Sequence, residues 1–122
     1  LQRGEAFVFV ILYSFSGLPH SRGNMEEIVV KTISVKDAKE KLDKGEAVFV
    51  DVRDPASYDE AHIPGALLVN DSNVGAFIAN TDKTRTHIVY CYHGINSQGG
   101  AAYFAANGFQ EVFSMDGGFS AW

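Results

Sequence analysis

Apolar residues along this chain fall into short continuous runs separated by longer amphipathic stretches. Ile28 to Ile33 reads as a short strand. Ser34-Val35-Lys36-Asp37 then makes a capping box, with Ser34 capping a helix and Asp37 reaching back to the cap N–H. Val35, Ala38 and Leu42 share one face of that helix, Lys36, Lys39, Glu40 and Asp43 lie elsewhere, and Gly45 ends it. Ala47-Val48-Phe49-Val50-Asp51-Val52 is nearly all apolar, the mark of a strand buried on both faces of a parallel sheet. Asp54-Pro55 opens a short helix running to about Ala61. His62-Ile63-Pro64-Gly65-Ala66 then turns the chain into the strand Leu67-Leu68-Val69. Asp71 or Ser72 is the expected cap of a helix reaching about Asn80, with Val74, Phe77 and Ile78 inward. A polar loop leads to the strand His87 to Cys91, and a helix is expected from about Gln98 to Asn107, stopping at Gly108. Glu111 to Met115 is the last strand, and Asp116-Gly117-Gly118 turns into a helix opening at Phe119. Strands alternating with helical patterns in this way predict an α/β domain with a mainly parallel sheet.

The stretch that stands out is Cys91-Tyr92-His93-Gly94-Ile95-Asn96-Ser97-Gln98-Gly99-Gly100, which runs from a strand end into a helix start. Ligands in open α/β sheets sit beyond the carboxyl ends of the strands, which is where Cys91 falls. Backbone N–H groups converge at such a turn, backed by the positive end of the helix dipole, so a thiolate there is stabilised without a side-chain base. No Lys or Arg occurs from Thr86 to Trp122, which leaves peptide amides to hold any anion. A lone cysteine is more often an inert core residue. Gly94, Gly99 and Gly100 tip the balance, because glycine early in a helix costs about 1 kcal/mol relative to Ala and makes sense where something approaches the backbone.

Two other positions carry chemistry. Asp51, near the end of a buried strand, needs a partner, and Arg53 is one candidate; an internal charge pair outweighs a catalytic reading. His62 is expected to bond loop backbone rather than move protons.

A length of 122 residues, 46% apolar and 20% charged, suits one domain with a real core. The net charge of −5 and the lack of a basic aromatic stripe argue against nucleic acid as a partner. One cysteine makes no internal disulfide, and Cys91 with His93 offers too few soft ligands for a metal site. Residues 1–24 look foreign to the rest. Their apolar run Ala6 to Tyr13 is shorter than the roughly 20 residues that span a bilayer, so no membrane partner is expected. They read as a non-native or leader extension ahead of a domain over 25–122, with a secretory signal or an extra edge strand as alternatives. The expected location is the cytoplasm, or the periplasm if residues 1–24 are a signal.

Asp51-Val52-Arg53-Asp54-Pro55, His62-Ile63-Pro64-Gly65-Ala66, Cys91-Tyr92-His93-Gly94 and Asp116-Gly117-Gly118-Phe119-Ser120-Ala121-Trp122 together resemble a single-domain rhodanese, of the GlpE type of thiosulfate sulfurtransferase. The resemblance runs from about Val30 to Trp122. It implies a rhodanese-like three-layer fold with a five-stranded, mainly parallel sheet flanked by helices, and a further short helix beyond Trp122. It gives Cys91 the role of nucleophile, assigns anion binding to the amides of Tyr92, His93, Gly94, Ile95, Asn96 and Ser97, and has Gln98 close the loop. Asp51, Arg53 and His62 match positions that support the scaffold. The implied reaction moves sulfur from thiosulfate or another anionic donor, through a cysteine persulfide and without a cofactor, to cyanide or a thiol or dithiol such as thioredoxin. The alternative is a sulfur-carrier or docking module for a partner enzyme, for which the apolar Ile95 in the loop is a contact point. A phosphatase of the related fold needs Arg where this loop has Ser97.

Overall fold

A computed structural model describes residues 8–14 and 25–122, with the backbone alone for 8–14 and 25–27. In chain order the elements are β1 (Val8–Ser14), β2 (Met25–Ile33), α1 (Val35–Asp43), β3 (Val48–Asp51), α2 (Pro55–Glu60), β4 (Leu67–Leu68), α3 (Val74–Asn80), β5 (Thr86–Tyr90), α4 (Asn96–Ala106), β6 (Glu111–Met115) and α5 (Gly118–Ala121). They build one six-stranded sheet in the order β1-β2-β6-β5-β3-β4. Five strands, β2 to β6, run parallel, and β1 pairs antiparallel with β2 along the edge, from Val8 opposite Lys31 to Ser14 opposite Met25. The mainly parallel α/β reading therefore holds. Val8–Ser14, part of the stretch read as an extension, forms an edge strand; residues 1–7 and 15–24 of that stretch lie outside the described residues.

Strand alternation sorts the core into two layers. Val30, Val50, Val89 and Val112 face α3 and α4, where they meet Ala101, Ala102, Phe104, Phe77 and Ile78. Ile33, Phe49, Ile88, Tyr90, Phe113 and Met115 face the other way, against Ala38 and Leu42 of α1, Tyr58 of α2 and Phe119 of α5. Strands covered on both faces have no solvent side to mark with polar residues, which is why β3 and β5 read as continuous apolar runs.

Helix starts show which caps the sequence made legible. Ser34 Oγ accepts from the Asp37 amide at 3.0 Å, and Asp54 accepts from the Ser57 amide at 3.1 Å. The cap expected of Asp71 or Ser72 does not form. Asn73 is the residue before α3, and its side chain instead accepts from the Asn70 amide and donates to the Leu68 carbonyl, tying the loop after β4. Competition for a cap among four adjacent polar residues is settled by the path of that loop, not by residue type. Helix α4 also starts two residues before the expected Gln98, because its first turn wraps directly around Cys91.

The sheet order reverses around β5. The chain leaves β3 for the edge at β4, then returns through α3 to lay β5 between β3 and β6. Beyond the carboxyl end of β5 lies Cys91, one residue after the strand rather than its last member. Such a switch point leaves room at the strand ends for a ligand.

Candidate active site: a sulfur capped by the backbone

Helix α4 has no side-chain N-cap: the residue at that position is Ile95, which has no oxygen to offer. The Cys91 sulfur fills the vacancy. Sγ accepts from the Gly94 amide at 3.1 Å and from the Ser97 amide at 3.3 Å, and Ser97 Oγ lies 3.4 Å away. Ser97 is the second residue of α4, the position whose N–H a capping serine would take. A neutral thiol is a weak acceptor, whereas a thiolate gains from every one of these donors and from the helix dipole. Burial pushes the thiol up; the Ser97 hydroxyl and the amides of Ser97, Gly94 and His93 outweigh it and hold the group below its ordinary value of 9.0. Cys91 is 5% exposed.

The loop is held from behind by α5. Phe119 N donates to the Cys91 carbonyl and Ser120 N to the Tyr92 carbonyl, both at 2.9 Å. A trans peptide carries its N–H opposite its C=O, so fixing the Tyr92 carbonyl toward α5 turns the His93 amide toward the sulfur. Close approach here requires glycine: a Cβ on Gly118 (φ 63°) would stand 2.6 Å from the Cys91 carbonyl oxygen, and one on Gly94 (φ 90°) 2.8 Å from the Gly117 nitrogen. Gln98 Nε2 donates to the Gly94 carbonyl at 3.1 Å and closes the loop as expected.

Of the six expected loop amides, those of His93, Gly94 and Ser97 act on the sulfur. The Ile95 carbonyl accepts from the Gln98 amide. No protein atom crowds Gly99 or Gly100: a methyl on Gly99 meets nothing within 4 Å, and one on Gly100 makes ordinary contact with Val89 at 3.4 Å. Two features escaped the sequence reading. Ser97 contributes its hydroxyl as well as its amide, and Ser114 of β6, fully buried, places its Oγ 2.7 Å from Ser97 Oγ. The signal for the second was a lone polar residue inside the run Val112 to Met115.

Asp51 and Arg53 form the expected pair. Arg53 Nε and Nη2 fork onto the Asp51 carboxylate, the latter at 2.7 Å, with side-chain exposures of 6% and 0%. Nη2 also donates to the Ala61 carbonyl at 2.7 Å, tying the end of β3 to the end of α2. The guanidinium lies 4.2 Å from the Phe119 ring centroid, which joins this cation to α5. Tyr90 Oη accepts from the Ile63 amide at 3.1 Å, which fixes the His62–Ala66 turn, and burial pushes the Tyr90 hydroxyl far up. His62 stacks on Tyr58 and donates through Nδ1 to the Tyr58 carbonyl at 2.7 Å, a bond back to the backbone of α2 rather than to the following loop. His93 stacks on Tyr92 and lies 3.3 Å from Ser120 Oγ. Among the described residues no group of three or more His, Cys, Asp or Glu could hold a metal ion, and no helix is long and apolar enough to cross a membrane.

A cleft of about 570 Å³ opens between α3 and α4, lined by Val52, Val69, Val74, Tyr103 and Phe104, without Cys91 in its wall. The sulfur is held instead by the donors of its own loop.

Comparison with known proteins places the sequence and the fold in one family. The thiosulfate sulfurtransferase GlpE of Pseudoalteromonas translucida is 45% identical over 92 residues, 75% of this chain and 88% of that protein. A crystal structure of a rhodanese-like domain protein from Staphylococcus aureus superposes with a TM-score of 0.67 at 26% identity, covering 75% of this chain and 89% of that one. A solution structure of a rhodanese-like domain from Anabaena does so with a TM-score of 0.67 at 26% identity, covering 75% and 71%. The family model for the rhodanese-like domain matches residues 34–122, from the cap of α1 through α5. The chain belongs to the rhodanese-like family.

Proposed function

We propose that this protein is a thiosulfate sulfurtransferase that carries sulfur on Cys91. The observation behind the reading is the convergence of the Gly94 and Ser97 amides on a single sulfur with no cation in the loop. A relative named for that activity, at 45% identity, supports it. In the first half-reaction the Cys91 thiolate attacks the outer sulfur of thiosulfate. A sulfur–sulfur bond forms, the bond to the sulfonate sulfur breaks, and sulfite leaves with the bonding pair. In the second, cyanide or a thiolate attacks the outer sulfur of the persulfide, and Cys91 departs as thiolate. Covalent catalysis splits one transfer into two, and the same amides serve both, because the sulfur they bond is nucleophile first and leaving group second. Charge-assisted hydrogen bonds of this kind contribute about 1.5–3 kcal/mol each. The acceptor in the cell is a small thiol or a dithiol protein, with thioredoxin one candidate, and the reaction needs no cofactor.

Initial rates of thiosulfate-to-cyanide transfer test this. Parallel double-reciprocal lines, with activity abolished in Cys91→Ser, are expected. Full activity in Cys91→Ser removes the residue from the reaction.

A second reading, a sulfur carrier that delivers its persulfide to a partner and turns over poorly alone, is favoured by one feature. Ile95 and Tyr92, on the loop around the sulfur, are 72% and 54% exposed. Slow steady-state turnover together with rapid, stoichiometric sulfur loading supports the carrier; fast turnover with cyanide supports the enzyme.

A further inference from the structure

Two serine hydroxyls lie in line behind the sulfur. Ser97 Oγ is 3.4 Å from Cys91 Sγ and 2.7 Å from Ser114 Oγ. Both serines are fully buried, and Ser114 sits on β6 directly opposite Val89 of β5, on the face that meets α4. The Ser114 hydroxyl is therefore delivered to the first turn of α4 by the sheet, not by the loop. From this we infer that Ser114 is a positioning residue, which sets the direction of the Ser97 hydroxyl and thereby the charge state of Cys91. The inference rests on Cys91 being the reacting group.

The charge on Cys91 sets the direction of the hydrogens along the row. A hydroxyl has one hydrogen to give. When Cys91 is a thiol, Sγ–H gives its hydrogen to Ser97 Oγ, and the Ser97 hydrogen turns to Ser114. When Cys91 is a thiolate, Ser97 gives its hydrogen to Sγ, and Ser97 Oγ is free to accept from Ser114. Ser114 then donates into a hydroxyl that is itself donating to an anion, and each bond polarises the next. The two hydroxyls keep their protons and only turn; the one proton lost, that of the thiol, goes to solvent. Once a second sulfur is attached, the negative charge sits on the outer atom, and the inner sulfur has less call on the Ser97 hydrogen. The row thus favours the free thiolate over the persulfide. It helps Cys91 leave in the second half-reaction, and serves the first by raising the fraction of Cys91 that is ionised.

Without the Ser114 hydroxyl, Ser97 keeps its place but loses the donor that holds its oxygen and directs its hydrogen. The expected consequence in Ser114→Ala is a thiol that ionises at higher pH. The rate of iodoacetamide alkylation at neutral pH should fall about three- to tenfold, as a smaller thiolate fraction dictates.

The test is the pH profile of Cys91 alkylation, followed by intact mass, in the wild type, Ser114→Ala, Ser114→Thr, Ser97→Ala and the double alanine variant. Ser114→Thr keeps the hydroxyl and suits a strand, so it should restore the wild-type midpoint. The double variant should be no worse than Ser97→Ala, since Ser114 acts only through Ser97. A profile in Ser114→Ala that coincides with wild type overturns the inference. So does a shift that Ser114→Thr fails to reverse, or effects of the two alanines that simply add. Thermal melts establish that each variant is folded before it is read, and Ser114→Val, which fills the site, suits a strand and lacks the hydroxyl, carries the test against Ser114→Thr if Ser114→Ala is unfolded. Thiosulfate loading of the wild type is scored separately: its failure would count against the proposed reaction, whereas the alkylation profiles decide the role of Ser114.

Discussion

Gly118 and Cys91 touch through their backbones: a methyl group on Gly118 would stand 2.6 Å from the Cys91 carbonyl oxygen. The contact lets the Phe119 and Ser120 amides of α5 hold the carbonyls of Cys91 and Tyr92. Gly118→Ala forces the loop off α5 and puts a Cβ at φ 63°, a combination worth about 1–3 kcal/mol. It should lower Tm, cut kcat/KM at least about tenfold and raise the pH at which Cys91 ionises. Gly99→Ala, with open space around the new methyl, should instead gain about 0.5–1 kcal/mol from helix propensity. Melting curves with alkylation profiles check both. Equal effects from the two substitutions would remove α5 as the brace.

The Arg53–Asp51 pair is buried, so breaking it should be costly. Arg53→Leu leaves the Asp51 carboxylate fully buried without its fork, and a loss of about 3–5 kcal/mol is expected in urea unfolding. Asp51→Asn combined with Arg53→Leu should recover part of that loss, because the stranded charge is gone. Arg53→Lys should fall between, since an ammonium cannot span both carboxylate oxygens and the Ala61 carbonyl. A loss in Arg53→Leu no greater than in the double variant would mean that the pair is not what holds β3 to α2.

His87 makes stability depend on pH. Its ring is fully buried between Phe77 and Phe109, with Nδ1 donating to the Arg85 carbonyl at 2.9 Å and Nε2 accepting from Thr81 Oγ1 at 3.0 Å. Burial holds its pKa below the ordinary 6.5, and the Arg85 and Lys83 charges push the same way, against the Arg85 carbonyl and Asp82. The unfolded chain therefore binds a proton near pH 6.5 that the folded chain refuses. The stabilisation is present above that pH and is lost as pH falls. The urea midpoint should drop between about pH 7.5 and about pH 5, and the drop should shrink in His87→Gln. An identical pH dependence in the variant would assign the effect elsewhere.

How much of this was legible in the sequence follows from where the information lies. Runs such as Val48 to Val52 and His87 to Tyr90 reveal buried parallel strands because every residue is constrained at once. Cys91 was legible because a strand end, glycine and a helix start fall in order around the one sulfur. The Asp51–Arg53 pair was legible because a buried carboxylate demands a partner and the nearest cation is two residues on. Ser114 was not, since its bond to Ser97 depends on the register of β6 beside β5, which no local pattern encodes. Nor was Asn73, where several polar residues compete for one cap and the loop geometry decides. Among the glycines, Gly94 is required within the fold by its φ and its neighbours, while Gly99 and Gly100 have room for a methyl among the protein atoms.

The central claim is that amides and one hydroxyl, with no cation in the loop, keep the Cys91 sulfur ionised and able to carry a second sulfur. Intact mass of the protein after brief treatment with thiosulfate tests it most directly. The account predicts a gain of one sulfur atom that cyanide removes and that Cys91→Ser never acquires. A wild-type mass unchanged by thiosulfate, or a sulfur gained equally by Cys91→Ser, would contradict it.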